Sequence, residues 1–244
     1  MSDVTYHYDT LLAQHYSWMV GAPFEVKVAE QRELLGKLGV VARSGPAVDL
    51  GCGPGFQSIA LARLGYSPVL AVDSCQSLLD ELAAHAGAPT PIKTVCADMR
   101  ELQQLIPRES AAVVVCMGDT LTHLESRADV SRLLADAYHV LAPGGLLVLT
   151  FRDLSIELKG LERFIPVRSD GDRIMTCMLE YEPGSVVVND LIHLRAGAGW
   201  TLHKSCYRKL RLSGEEVARE VAELGFTLRS SEVVGRLHAI AAAR

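Results

Sequence analysis

Asp49 and the glycines at positions 51, 53 and 55 form the most informative pattern in the chain. They follow a short apolar run and precede a segment with helical spacing, so the glycines lie at a strand-to-helix junction. Glycines there allow a ligand to approach the backbone closely at the helix N-terminus. The third glycine comes two residues after the second, which differs from the G-x-G-x-x-G spacing of dinucleotide-binding proteins. A carboxylate at position 49 would oppose a pyrophosphate and suits a ligand that carries a cationic group.

The residues around this motif alternate between two kinds of segment. Strand-length apolar runs occupy 46–50, 68–72, 92–96, 111–116 and 145–151. Between them, apolar residues recur every three or four positions, which predicts helices near 57–64, 75–85 and 127–141. This alternation is typical of βαβ units in a doubly wound parallel sheet, whose ligand site lies at the carboxyl ends of the strands.

The flanking regions differ from this core. Residues 3–20 and 24–39 are predicted to form two helices, the first with an aromatic face made of Tyr6, Tyr8, Tyr16 and Trp18. After Asp153, turn signals separate three extended segments, which predicts an antiparallel meander over 173–181, 186–195 and 200–212. Ser213 and Glu216 have the spacing of a capping box that opens a helix to Leu224, and 226–234 and 237–243 are predicted as closing strands.

In several of these segments the chain resembles the class I S-adenosylmethionine-dependent methyltransferases. The D-x-G-x-G-x-G motif at 49–55 matches the end of that family's first strand. Asp73, at the end of the second predicted strand, matches the acid that binds the ribose hydroxyls in the family. Asp98, after the third, matches the acid near the adenine amino group, with Met99 as its apolar neighbour. Residues 141–149, LAPGGLLVL, resemble the turn into strand five.

The resemblance implies an α/β fold, a Rossmann-like seven-stranded mostly parallel sheet with helices on both faces. A small antiparallel β-meander is expected as an insertion after strand five. The expected organisation is an N-terminal helical cap (1–40), an S-adenosylmethionine-binding core (41–153), an inserted β lid or dimer subdomain (154–212) and a closing helix and strands (213–244). S-adenosyl-L-methionine is the expected cofactor. The expected cofactor-binding residues are Tyr16, Asp49, Gly51, Cys52, Gly53, Gly55, Gln57, Asp73, Ser74, Asp98, Met99, Met117 and Gly118.

Residues 115–124, VCMGDTLTHL, resemble a stretch of the glycine N-methyltransferase-like group of small-molecule methyltransferases, with Asp119 where that group usually carries Asn. Asp119 and His123 are therefore the candidate catalytic residues. Each has a structural alternative: Asp119 as the cap of a short helix, and His123 as a histidine bonded to backbone or to an N-terminal aromatic. Asp73 could cap the helix that follows it, a role that can coexist with ligand binding. Asp98 could be a solvated loop carboxylate. Cys116, at the end of a buried strand, is expected to pack rather than react.

Composition excludes several classes of function. The net charge is −5 and no dense basic run occurs, so nucleic acid is not an expected partner. Apolar runs are shorter than a bilayer crossing needs, and the first residues lack the features of a secretory signal, so a cytoplasmic location without membrane contact is expected. The six cysteines stand singly, which argues against a disulfide framework or a metal site.

These observations favour a methyltransferase for a small-molecule acceptor, with nitrogen slightly preferred over oxygen. A protein or RNA methyltransferase and a catalytically silent S-adenosylmethionine-binding regulatory module remain alternatives. The glycine spacing speaks against an NAD-dependent dehydrogenase. The meander is a candidate lid or homodimer surface.

Overall fold

Two β-sheets dominate the structure, a computed structural model that describes residues 3–41 and 45–244. The strands are β1 (Ala47–Leu50), β2 (Val69–Asp73), β3 (Ile92–Cys96), β4 (Ala111–Cys116), β5 (Leu141–Phe151), β6 (Phe164–Ser169), β7 (Arg173–Tyr181), β8 (Ser185–Ala196), β9 (Gly199–Leu210), β10 (Thr227–Val234) and β11 (Leu237–Ala243). Seven of them form one sheet in the order β10-β11-β5-β4-β1-β2-β3. Only β11 runs antiparallel to its neighbours β10 and β5 in this sheet. The predicted fold class is confirmed.

Helices cover both faces of the large sheet. They are α1 (Asp3–His7), α2 (Tyr16–Val20), α3 (Phe24–Lys37), α4 (Phe56–Arg63), α5 (Gln76–Ala86), α6 (Leu102–Leu105), α7 (Arg127–Val140) and α8 (Gly214–Glu223). Along β4, Val114 packs into the core on the side of α7 and α8, while Val113 and Val115 pack towards α3 and α4. Burial on both faces explains why the central strands are nearly uninterrupted apolar runs.

The predicted first helix is not continuous. A π-helical turn (Tyr8–Leu12) and a 3-10 turn (Ala13–His15) separate α1 from α2, and Gly21 ends α2 in a left-handed conformation with φ of +83°. The prediction of one helix over 3–20 is therefore wrong in its continuity. Val4, Tyr8 and Tyr16 of this segment line a cavity together with residues at the carboxyl ends of the strands.

The second sheet is antiparallel in the order β6-β7-β8-β9 and is inserted after β5, as expected. The sequence predicted three strands and missed β6. Pro166 lies within β6, and proline weakens a strand signal because it removes a ladder donor. The strand tolerates it because β6 is at the edge of its sheet.

The predicted capping box at the start of α8 is wrong. Ser213 is at the N-cap position, but its side chain makes no capping hydrogen bond. The Gly214 N–H instead donates to the Asp153 carboxylate at 2.9 Å. A carboxylate from the end of the fifth strand thus stabilises the helix N-terminus, through an interaction 61 residues apart in sequence that local spacing cannot reveal.

Candidate functional site

The carboxyl ends of β1, β2 and β3 line a cavity that we call the glycine-loop cavity. Gly51 and Gly53 follow β1, Asp73 ends β2, and Asp98 lies just after β3. Of the thirteen residues predicted to bind the cofactor, the structure brings together here Tyr16, Gly51, Gly53, Asp73, Ser74, Asp98 and Met99. Parallel strands end at one edge of the sheet, so residues distant in sequence meet there.

A side chain at either glycine of this cavity would disturb the loop or fill the space in front of the backbone. Gly51 has φ of +66°, and a Cβ there would lie 2.1 Å from Thr120 Cγ2. Gly53 has φ of +53°, and its nearest neighbour to a Cβ is Tyr16 Cε1 at 3.9 Å, so the space in front of its backbone is open. The first glycine permits close packing of the loop, and the second leaves room for a ligand against the main chain.

Backbone donors fix the carboxylate of Asp73. Gly53 N–H donates to Asp73 Oδ2 at 2.8 Å, and Cys75 N–H donates to Oδ1 at 2.9 Å. Burial raises the pKa of Asp73, and the backbone hydrogen bonds oppose that rise. Cys75, not Asp73, occupies the N-cap position of α5. The carboxylate is therefore held in place with acceptor capacity left for hydroxyl donors in the cavity.

Arg100 pairs with Asp98 in a way that the sequence did not predict. The guanidinium reaches both carboxylate oxygens, with Nε at 3.0 Å from each and Nη2 at 2.6 Å from Oδ2. Burial acts to raise the pKa of Asp98, but the Arg100 hydrogen bonds outweigh it and lower the pKa. Asp98 is thus ionised and anchored within its own loop, where it also caps the short helical turn at Met99.

Six residues predicted to bind the cofactor do not line the glycine-loop cavity: Asp49, Cys52, Gly55, Gln57, Met117 and Gly118. Asp49 is buried and accepts a hydrogen bond from Ser58 Oγ at 2.6 Å, so it ties β1 to α4. Burial raises its pKa to about 7. A Cβ at Gly55 would lie 2.0 Å from Leu82 Cδ1, which makes that glycine a packing requirement.

A larger cavity of about 560 Å³ adjoins the first. It lies between the sheet edge, the N-terminal helices and the inner face of the second sheet. Gln57 and Gly118, predicted to bind the cofactor, line this cavity instead. Its apolar wall includes Leu12, Met19, Leu154, Ile165, Val167, Met175, Leu179 and Val188. The two cavities share the residues Tyr8, Tyr16, Thr120 and His123, which we call the junction.

Asp119 lies in the wall of the larger cavity, with both carboxylate oxygens engaged. Oδ1 accepts from the Arg152 N–H at 3.0 Å and from Thr122 Oγ1 at 3.1 Å, and Oδ2 accepts from Lys209 Nζ. Burial acts to raise the pKa of Asp119, but Lys209 outweighs it and lowers the pKa. The pairing partner comes from β9, 90 positions away, and no feature of the sequence pointed to it.

His123 is held among aromatic rings rather than exposed to solvent. Its ring centroid is 5.8 Å from that of Tyr8 and 5.4 Å from that of Tyr207, and His7 stacks on Tyr207 at 4.4 Å. We call His7, Tyr8, His123 and Tyr207 the aromatic cluster. Burial lowers the pKa of His123 to about 3, with Lys209 adding to the effect. The imidazole is neutral near pH 7 and a weak base.

The predicted aromatic face of the N-terminal segment is divided. Tyr8 and Tyr16 lie at the junction, and burial raises the pKa of Tyr16 to about 12. Tyr6 is 58% exposed. Trp18 points to the second sheet, where its Nε1–H donates to Asp170 at 2.5 Å and the Arg173 guanidinium lies 4.6 Å from its ring. Only two of the four aromatic side chains therefore reach the site.

Within residues 3–41 and 45–244, no helix combines the length and the apolar character needed to cross a bilayer. The same residues contain no group of three or more histidine, cysteine or acidic side chains placed to hold a metal ion.

Comparison with known proteins gives matches of two kinds. A family model described as a methyltransferase domain matches residues 47–145. The glycine/sarcosine N-methyltransferase of Aphanothece halophytica is 34% identical over 112 residues, covering 46% of this chain and 42% of that protein. The carboxy-S-adenosyl-L-methionine synthase of Shewanella sediminis is 28% identical over 176 residues, covering 61% and 70%. The chain spans less than half the length of the glycine/sarcosine N-methyltransferases that it matches.

Solved structures share the fold over nearly the whole chain. The CcbJ methyltransferase of Streptomyces caelestis has a TM-score of 0.80 at 20% identity, covering 99% of this chain and 98% of that one. CalS10, an amino pentose methyltransferase from Micromonospora echinaspora solved with S-adenosylmethionine bound, has a TM-score of 0.72 at 17% identity, covering 95% of each chain. The domain match shows that residues 47–145 form a methyltransferase domain, and the sheet order and the solved structures show that the chain has the fold of the class I methyltransferases.

Proposed function

We propose that this protein transfers a methyl group from S-adenosylmethionine to a small-molecule acceptor, with nitrogen preferred over oxygen. The observation that carries the proposal is the junction, where Tyr8, Tyr16, Thr120 and His123 line both cavities at once. Methyl transfer is an in-line displacement that needs donor and acceptor in one enclosed space, and two adjoining cavities with a common wall supply it.

The glycine-loop cavity has the features that the cofactor requires. Gly53 leaves open space in front of its backbone, and Asp73 presents a fixed carboxylate suited to the paired hydroxyls of a ribose. Met99 and Leu78 provide apolar contact for a flat base. When bound, the cofactor supplies a methyl group on a sulfonium, whose positive charge the rings of Tyr8 and Tyr16 favour.

The chain's own part in the reaction is positioning and exclusion of water. Tyr8 and Tyr16, from the N-terminal segment, form one wall of both cavities. Tyr8 also lies beside the ring of His123. His123, neutral and weakly basic, is suited to orient an acceptor rather than to store its proton. Asp119 is proposed to act at the acceptor by fixing Lys209 and Arg152 at the cavity wall.

The size and lining of the larger cavity support a small acceptor. A volume of about 560 Å³ lies within the range of small-molecule sites. The preference for nitrogen is supported by the names of related proteins, a glycine/sarcosine N-methyltransferase and an amino pentose methyltransferase. We also propose that residues 1–40 act as a cap and residues 154–212 as a lid, since both contribute to this cavity's wall.

The test is transfer of a labelled methyl group from S-adenosylmethionine to a panel of amines and matching alcohols, followed by mass spectrometry. The proposal predicts that an acceptor gains one methyl group while S-adenosylhomocysteine forms. Transfer only to protein or RNA would replace the small-molecule assignment. Cofactor binding without transfer to any acceptor, including a metabolite extract, would indicate a silent regulatory module.

A further inference from the structure

The larger cavity contains two carboxylates in very different surroundings. Asp119 is balanced by two cations, Lys209 and Arg152. Asp190, on β8 of the second sheet, also lines the cavity although it is only 3% exposed. Within the described parts of the chain, its ion-pair partner is His7 alone, with Nε2 at 3.0 Å from Oδ2. No lysine or arginine among the described residues forms an ion pair with it, although Lys209 and Arg152 line the same cavity.

His7 holds Asp190 in place through one of its ring nitrogens. The imidazole is fully buried, and among the described residues its Nδ1 has no hydrogen-bond partner. The hydrogen bond at Nε2 therefore ties the Asp190 carboxylate to a ring that is itself packed in the interior against Tyr207.

Two other titratable groups, Cys177 and Tyr207, lie close to the Asp190 carboxylate. Burial raises the pKa of the Cys177 thiol to about 12, and the Asp190 carboxylate adds to the rise. Burial likewise raises the pKa of Tyr207, again with Asp190 as the next cause. A buried carboxylate attracts a cation more strongly than one in water would, because little solvent screens the interaction. Lys27, Arg152, Lys209 and Arg236 also line the cavity, so an ammonium group would have to bind beside Asp190 and away from them.

Asp190 also lies close to the place where the reaction would occur. Its partner His7 stacks on Tyr207, and Tyr207 contacts His123 at the junction. Rings of the aromatic cluster thus line the path between the carboxylate and the junction, and aromatic faces stabilise a cationic nitrogen.

We propose that Asp190, held by His7, binds the protonated amino group of the acceptor, takes up the proton that the nitrogen must lose before it attacks the methyl group, and so selects amines over alcohols of the same shape. This inference rests on the proposed function, because it assigns the acceptor's binding group within the same site. Asp119 does not fill this role, since its oxygens are occupied by donors of the chain itself.

The experiment compares two probes of equal shape, cyclohexylmethylamine and cyclohexylmethanol, by calorimetric titration near neutral pH. The amine is protonated there and the alcohol is not. Each titration is run with and without S-adenosylhomocysteine. The unaltered chain is expected to bind the amine about 10- to 100-fold more tightly, the range of a charge-assisted hydrogen bond. Asp190→Asn, which keeps an acceptor for His7, should bind both probes alike, whereas Asp190→Glu should retain a preference.

Glu180→Gln is the matched control. Glu180 lies on β7 of the same sheet, exposed, where it accepts a hydrogen bond from Asn189 at 3.0 Å. It does not line the cavity, so its removal changes the net charge equally and should leave the amine preference intact. Thermal unfolding of each variant shows whether it is folded.

The outcomes separate this proposal from the proposed function. Equal binding of the two probes to the unaltered chain, binding of neither, or an undiminished preference in folded Asp190→Asn would each overturn the role of Asp190. If S-adenosylhomocysteine does not bind, the proposed function fails, while the titrations without it still decide whether Asp190 selects an amine.

Discussion

The buried carboxyl of Asp49 is expected to make the protein less stable as the pH rises. Its pKa is about 7 in the folded chain, against 3.8 for an ordinary aspartate, because burial disfavours the charge more than the Ser58 hydrogen bond favours it. Between these values the unfolded chain has lost the proton that the folded chain keeps. Stability is therefore highest below the unfolded pKa and falls until the pH passes the folded pKa.

The size of this loss follows from the shift. A difference of about three pH units, at roughly 1.4 kcal/mol per unit, corresponds to about 4 kcal/mol between acidic and alkaline conditions. Asp49→Asn removes the titration and keeps an oxygen that can accept from the Ser58 hydroxyl. We expect the stability of the variant, relative to the unaltered chain, to increase from about pH 4 to about pH 7 and to stay level above that.

Denaturant unfolding across this pH range measures the difference directly, in the absence of cofactor. Asp172→Asn is the control, because the Asp172 side chain is 84% exposed and the substitution should produce no comparable slope. If the difference in free energy of unfolding between Asp49→Asn and the unaltered chain did not change with pH, burial would not raise the pKa of Asp49 as inferred.

Three further substitutions test the site. Gly51→Ala should destabilise the fold and abolish S-adenosylhomocysteine binding, because the added Cβ would collide with Thr120. Gly36→Ala is the control: a Cβ there meets no other atom, so thermal unfolding and calorimetric titration should show no change. Asp119→Asn should lower kcat about tenfold or more, because it leaves Lys209 without its carboxylate, while the affinity for the cofactor stays unchanged. An unchanged kcat would show that Asp119 does not act on the acceptor. Asp73→Ala should weaken S-adenosylhomocysteine binding by about 1–3 kcal/mol in calorimetry, the cost of leaving hydroxyls without a charged acceptor, and unchanged affinity would exclude Asp73 from the site.

The parallel core and part of the site could be predicted because their signals are local. Gly51, Gly53 and Asp73 are fixed by a loop and a strand end, and their types and spacing express what the backbone requires there. Asp49 shows the limit of that reasoning. Its position ahead of the glycines suggested contact with a ligand, but its side chain turns into the core and bonds to Ser58.

The contacts around the larger cavity could not be predicted because its parts are brought together only by the tertiary fold. Lys209 meets Asp119 across 90 positions, and His7 meets Asp190 across 183. Each partner lies in a segment whose local pattern predicts only a strand or a helix. Pro166 had a similar effect on the second sheet, since the edge position that tolerates it is a property of the assembled sheet.

Calorimetric titration of the purified chain with S-adenosylhomocysteine and, separately, with NAD tests most directly which cofactor the glycine-loop cavity binds. We expect saturable one-to-one binding of S-adenosylhomocysteine, weakened by Asp73→Ala and unaffected by Asp172→Asn, with no binding of the dinucleotide. Binding of NAD without binding of S-adenosylhomocysteine would contradict this expectation.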